Sequence, residues 1–298
     1  MNKRLLNIVG MYLLSATIVA AAVPFVPVNN ADEPVLLRVR VAKGNAFRYI
    51  LMSTTSQDMT VEMNDITNES TSSLTVTMVV NDAALDRADI TTTFSDVTSS
   101  VRVRGMEELG VARDTTVRLT QFEGASIRLT MDQFGRASKV STSLDGTASA
   151  FFSSMKILDR FSAYLPKEPI SVGGSWTLEN IDTTAAPSGS GDVRTTAVTV
   201  YTYRGIRDTL GTRCWVIDAT SSSLTQEGEI TANGIDLELE GSGQSQGTTF
   251  LDVNNGMVVA TRGMVAMQTQ MSLSGQQSMV IPVATQMQFT MTRITERR

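Results

Sequence analysis

Ile281-Pro282-Val283-Ala284-Thr285-Gln286-Met287-Gln288-Phe289-Thr290-Met291 decides the fold class. Ile281, Val283, Met287, Phe289 and Met291 fall on every second position, so one face of an extended segment collects them while Gln286, Gln288 and Thr290 take the other. Successive side chains of a strand point to opposite faces, and a half-buried strand shows this period of two. Ile235-Asp236-Leu237-Glu238-Leu239-Glu240 repeats it, with aliphatics on one side and carboxylates on the other.

Working outward, the same alternation runs through Met59–Met63, Leu74–Val80, Ile90–Phe94, Ile127–Met131, Val193–Arg204, Arg213–Thr220 and Gly228–Thr231. Asn254-Asn255-Gly256 separates two more runs, Thr248–Val253 and Met257–Arg262, as a tight hairpin turn of residues that tolerate positive φ. Val35, Leu37, Val39 and Val41 alternate with Arg38 and Arg40, and Lys43-Gly44-Asn45 leads to Phe47–Leu51, which predicts an opening hairpin. Ser- and Gly-rich or irregular stretches predict connections at 81–89, 104–114, 183–192, 241–247 and 274–277. The polar partners of the apolar positions are mostly Thr, Ser and Arg, and are expected to face solvent.

One stretch departs from this period. Phe151, Met155, Leu158 and Leu165 recur at helical spacing, with Phe152, Ile157 and Phe161 widening the stripe and Pro166 after it. They predict an amphipathic helix over about residues 147–165, packed on the sheet because an isolated helix of that length would not be stable. The expected fold is therefore mainly β: a curved antiparallel sheet, or half-barrel, with one amphipathic helix on its concave face.

At the N-terminus, Lys3 and Arg4 precede an apolar run that ends in Ala20-Ala21-Ala22. Charged head, apolar middle and small-residue exit predict a secretory signal with cleavage after Ala22, the alternative being an uncleaved N-terminal anchor helix. The expected organisation is a signal peptide over 1–22, a flexible segment over 23–34 and a single β-rich domain over 35–298. No cysteine stands at the cleavage point for a lipid anchor, so the product is expected to be soluble, in the periplasm or outside the cell. The net charge of −5 becomes more negative when Lys3 and Arg4 leave. That excludes the basic stripe of a nucleic-acid binder. No second stretch is apolar enough to span a membrane as a helix.

The chain has no histidine, which removes Ser-His-Asp and Cys-His catalysis and His-ligated zinc. Cys214, the sole thiol, sits beside Trp215 in a strand and reads as a buried structural residue. Asp82, Asp86 and Asp89 with Asn81 lack the spacing of a calcium loop and read as a solvated turn. Asp236, Glu238 and Glu240 share one strand face and read as a charged outer surface rather than a glycosidase pair. No catalytic residue, metal ligand or cofactor is therefore assigned. The 16 methionines point elsewhere, since Met is flexible and suits irregular apolar spaces. Phe151, Met155, Leu158, Met267, Met271, Met287, Phe289 and Met291 are the candidate lining of a deformable cavity between helix and sheet, with a hydrophobic small molecule or lipid as ligand.

Two local patterns resemble known families. Ile170-Ser171-Val172-Gly173-Gly174-Ser175-Trp176 resembles the V-G-(D/G)-x-W corner of an uncharacterised family of secreted bacterial β-rich proteins, which also opens with a hairpin like Val39–Tyr49. Phe250–Val258, with its Asp252 and Gly256, is similar to a hairpin of that family and of periplasmic lipoprotein-localisation carriers. The resemblance implies a half-barrel holding a helix, with acyl chains bound on the concave face of the carriers. The function expected from the sequence is thus non-enzymatic binding of an apolar or lipid-like ligand in the cell envelope. The alternative is a structural or protein-interaction module, with an envelope protein as partner.

Overall fold

The computed structural model describes residues 33–61, 64–105, 113–143, 164–185, 190–232, 235–274 and 278–294. The signal segment, most of the flexible N-terminal segment and the helix expected over 147–165, save Tyr164 and Leu165, lie outside them.

Twelve strands run in chain order: β1 (Ala46–Val61), β2 (Asn64–Ala83), β3 (Arg87–Arg104), β4 (Arg113–Arg118), β5 (Ser126–Asp132), β6 (Ala137–Thr142), β7 (Ser175–Ala185), β8 (Ser190–Thr209), β9 (Thr212–Ala232), β10 (Ile235–Asp252), β11 (Val258–Ser274) and β12 (Met279–Ile294). They form one sheet of order β6-β5-β3-β2-β1-β12-β11-β10-β9-β8-β7, with β4 on the other half of β3. Every strand pair is antiparallel. The first and last strands meet at the centre, Leu51 opposite Met291 and Met59 opposite Val283. The only helical element among the described residues is a single 3-10 turn at Thr120–Phe122.

Several strands are unusually long. β9 has 21 residues and β1 has 16. At ~3.3 Å per residue a 16-residue strand runs about 53 Å. The sequence underestimates this length because polar segments interrupt the apolar alternation. Gly241–Gly247, expected as a loop, lies inside β10, paired on both sides. Its glycines serve close strand packing rather than a turn: a Cβ on Gly243 would stand 2.3 Å from the Ala266 carbonyl oxygen. The acidic turn also contracts. Asp82 pairs with Asp89 across β2 and β3, leaving only residues 84–86 to turn the chain.

The opening hairpin is a second correction. Val35–Val41 forms no strand with Phe47–Leu51 but crosses the end of the sheet as a strap. Val35 pairs with Ile170, Val39 N–H donates to the Gln133 carbonyl, and Arg40 N–H donates to the Asn255 carbonyl. Leu37, Arg38 and Val39 are all buried. The alternation was real, but Arg38 faces inward because its guanidinium finds partners there. It donates to the Leu37 carbonyl at 2.6 Å, to the Pro166 carbonyl at 2.7 Å and to the Lys167 carbonyl, and it lies 4.4 Å over the Phe134 ring. Burial holds its pKa below the usual guanidinium range. Gly256 admits the strap: its φ is +72°, and a Cβ there would lie 2.3 Å from the Arg38 carbonyl oxygen.

The same end draws the two margins of the sheet together. Leu165 N–H donates to the Phe134 carbonyl in the β5–β6 turn, and Trp176 of β7 donates from Nε1 to the Tyr164 carbonyl at 2.8 Å. Consecutive residues thus hold both margins, and consecutive Cα atoms are ~3.8 Å apart. The sheet is open along a seam flanked by β6 and β4 on one side and β7 on the other, but curled nearly shut at the strap end. Tyr49, Leu51, Val76 and Ile90 reach zero exposure in one cluster with Leu37 and Val39 of the strap.

Candidate functional site

The inner face is the face that collects the apolar alternation. It carries an apolar cluster at each end. The strap-end cluster includes Leu37, Tyr49, Leu51, Phe94, Trp215, Leu251 and Met291. The far-end cluster includes Met59, Ile66, Ile230, Leu237, Met271, Ile281 and Val283. A smaller one, with Leu224, Val265, Met267 and Met287, lies between them. The outer face bears Gln268, Gln270, Gln286 and Gln288 on β11 and β12, and Glu227, Glu229, Glu238 and Glu240 on β9 and β10, all exposed. The outer face also exposes Ile50, Met52, Val198, Val200 and Met264, and Cys214, Val216, Phe250 and Val259 form a further buried apolar cluster at positions alternating with the inward ones. No helix among the described residues is long and apolar enough to cross a membrane.

Met267, Met271, Met287, Phe289 and Met291 all fall on the inner face and are all buried. They lie on two adjacent strands, with Met287 opposite Val265 and Met267 opposite Thr285. They line no single chamber: Met271 belongs to the far-end cluster, Met267 and Met287 to the middle one and Met291 to the strap end. They make a deformable stripe along the length of the wall. Phe151, Met155 and Leu158, the expected partners on the helix, lie outside the described residues. A cleft of about 600 Å³ opens elsewhere, between the strap at Val39–Lys43, the β2–β3 turn and Met131–Gln133. None of the five methionine-stripe residues borders it, and Arg40, Lys43 and Arg87 line it with charge.

Sequence reasoning missed a second inner feature. Between Leu51 and Met59 of β1, the inward positions are Ser53, Thr55 and Gln57; Thr55 and Gln57 are buried. On β2, Asn68 lies between Ile66 and Leu74 and is 7 % exposed. Thr285, Thr269, Ser245, Gln226 and Thr195 continue the polar band on the other strands, each buried. Asn68 stands opposite Gln57, and Gln57 opposite Thr285. Gln57 Nε2 donates to Thr285 Oγ1 at 3.4 Å, whereas Gln57 Oε1, Asn68 Oδ1 and Ser245 Oγ are buried without a hydrogen-bond partner. A buried polar atom left unpaired costs about 1–3 kcal/mol. The expectation that Thr and Ser face solvent therefore fails on these strands. Carrying the parity of Tyr49 and Leu51 forward to Met59 and Val61 would have placed Thr55 and Gln57 inside.

Elsewhere the charged groups are structural. Asp252 Oδ1 accepts from Asn254 N–H, and Oδ2 accepts from Arg293 at 3.0 Å, which shapes the Asn254-Asn255-Gly256 turn beside the strap. Asp89 is held below the usual carboxylate range by its hydrogen bonds from Arg128. Glu238 faces Glu229, and Glu240 faces Glu227, across β9 and β10, but on the solvent face and in no cleft. Asp236 accepts from Thr231 Oγ1 at 2.7 Å. Cys214 is fully buried, and burial, with Asp252 nearby, pushes its thiol up to about 11. The described residues thus assemble no activated nucleophile and no converging acid pair. At Val172–Trp176 the chain turns into β7: Gly173 N–H donates to the Tyr203 carbonyl, Tyr203 N–H to the Gly174 carbonyl, and Trp176 stacks on Tyr201 at 5.5 Å.

These features define a class: a single open antiparallel sheet of long strands with an apolar inner face and a mixed outer one, where Ile50, Met52, Val198, Val200 and Met264 are exposed beside the polar residues. No protein-family model matches the chain, and no curated protein matches it. Among solved structures, the transport unit of the autotransporter AIDA-I from Escherichia coli aligns over 91 % of this chain and 93 % of its own, at 8 % identity and a TM-score of 0.19. A score that low supports no argument about fold or function.

Proposed function

We propose that this is an exported, non-enzymatic protein of the cell envelope that holds an apolar or lipid-like ligand against the inner face of its curled sheet. The observation that carries the reading is the Met267–Met271–Met287–Phe289–Met291 stripe, buried along the inner wall while Gln268, Gln270, Gln286 and Gln288 on the same strands are exposed. An eight-stranded barrel is just wide enough for its own side chains to fill, and diameter grows with strand number. Eleven strands side by side enclose more than that when curled. The surplus is available to an internal segment of the chain, to water or to a ligand, and Met side chains adapt to such occupants. The proposed resemblance to secreted β-rich proteins and acyl-chain carriers agrees with this reading.

Mass spectrometry of organic extracts from natively purified protein tests it, together with titration of diphenylhexatriene, a hydrocarbon that fluoresces when removed from water. A co-purifying lipid or saturable probe binding is expected. No lipid and no probe binding would overturn the reading. The seam favours one other reading, an interaction module, because β6 and β7 each leave a ladder edge unpaired by another named strand. A stoichiometric protein partner together with a probe-inert interior would favour it.

A further inference from the structure

The polar band lies at mid-wall, deep inside, with apolar clusters on both sides of it. On β1 the apolar flanks are Leu51 and Met59, eight residues and about 26 Å apart along an extended strand. A wall made only to hold hydrocarbon would have no use for a buried amide there. Burial without partners is unfavourable, so such groups in a folded protein need an explanation, and an absent ligand is one.

We propose that the ligand carries a hydroxyl or amide between two apolar portions, and that Gln57, Asn68 and Thr285 receive that group. The inference rests on the interior-binding reading above and adds the chemistry of its ligand. Gln57 is anchored at one end of its amide by Thr285, and the other end is free. As placed, Gln57 Oε1 and Asn68 Oδ1 both call for a donor; with the Gln57 amide turned over, Thr285 Oγ1–H donates to Oε1 and Nε2 is the end that donates to the ligand. Asn68 Oδ1, on the neighbouring strand in direct register, offers the second acceptor. A hydroxyl, with its one proton, donates to Asn68 Oδ1 and accepts from the turned-over Gln57 Nε2, and the N–H and C=O of an amide do the same. A plain alkyl chain does neither and leaves the buried acceptors unpaired. Sites built around buried polar groups discriminate in this way against analogues that lack the matching group.

The test compares methyl 12-hydroxystearate with methyl stearate as competitors of diphenylhexatriene bound to the purified full-length protein. The two esters differ only in a mid-chain hydroxyl. The hydroxylated ester is expected to compete about tenfold more strongly, the equivalent of one good buried hydrogen bond. That preference, read as the ratio of the two esters' competition within each variant, is expected to vanish in Gln57→Leu and in Asn68→Leu. Urea unfolding of each variant checks that it folds, and the wild-type comparison stands without them. Equal competition by the two esters, with ordered water alone on Gln57 and Asn68, would overturn the inference while leaving apolar binding intact. No diphenylhexatriene binding at all would overturn the parent reading and this inference with it.

Discussion

The strap end and the mid-wall of the same inner face are built on opposite terms. At the strap end, apolar side chains from seven or more strands converge, the strap covers them, and even the buried guanidinium of Arg38 has its hydrogen bonds made. At mid-wall, buried amides and hydroxyls interrupt the apolar surface and several atoms have no partner. The strap end also holds an unpartnered hydroxyl, Thr92 Oγ1, but there it sits within an apolar surface, whereas the mid-wall gathers two amides and several hydroxyls. Natural proteins accept local violations of packing rules chiefly at sites with another task. The contrast is the physical basis for placing ligand recognition at Gln57 and Asn68 rather than at the more perfectly packed end.

The contrast breaks first under substitution in the core. Leu51→Ala, at zero exposure beside Met291, is expected to cost about 2–5 kcal/mol in urea unfolding through lost burial and the cavity left behind. Gln57→Leu, three inward rows beyond Leu51, is expected to change stability by less than about 1 kcal/mol or to raise it, because removing a partly satisfied polar group need not be unfavourable. Equal losses in the two variants would erase the distinction between the regions. Arg38→Ala comes next, at about 1.5–3 kcal/mol, because the hydrogen bonds that fasten the strap to Pro166 and Lys167 are charge-assisted. A Gly256→Ala variant that folds with no loss would show that the strap does not depend on the close approach of that turn.

A smaller effect follows from pH. The Cys214 thiol is raised from 9.0 to about 11 by burial, and the Tyr49 and Tyr203 phenols are also raised by burial. The unfolded chain releases these protons first, so their contribution is fully present below pH ~9 and is lost as pH rises through the folded values. Iodoacetamide at pH 8 is accordingly expected to modify Cys214 only after unfolding, read as a mass shift with and without urea. Modification of the native protein at the rate of a free thiol would contradict the burial of that strand end.

The sheet was legible because alternation is a local signal: Ile235–Glu240 and the β12 run announce both strand and face. The Asn254-Asn255-Gly256 hairpin was legible for the same reason, through residues suited to its turn. The strap was not, because Val35–Val41 alternates as a strand does, and only the distant carbonyls of Pro166 and Lys167 explain why Arg38 turns inward. Strand length was hidden where Gly241–Gly247 uses small residues to let neighbouring backbones approach. The four strand methionines and Phe289 were placed on the correct face, since parity fixes that much. The polar band escaped because a Thr or Gln at an inward position looks, residue by residue, like a solvent-facing one.

Everything above depends on which face of the curled sheet meets water. Single cysteines placed in a Cys214→Ser background, in protein purified without detergent, read this directly with a charged, water-soluble maleimide. Gln268→Cys and Gln286→Cys are expected to label fully, and Met267→Cys and Met287→Cys to stay unlabelled until the protein unfolds. Rapid labelling at 267 and 287 with protection at 268 and 286 would mean that the apolar face is turned outward, and the account would be wrong.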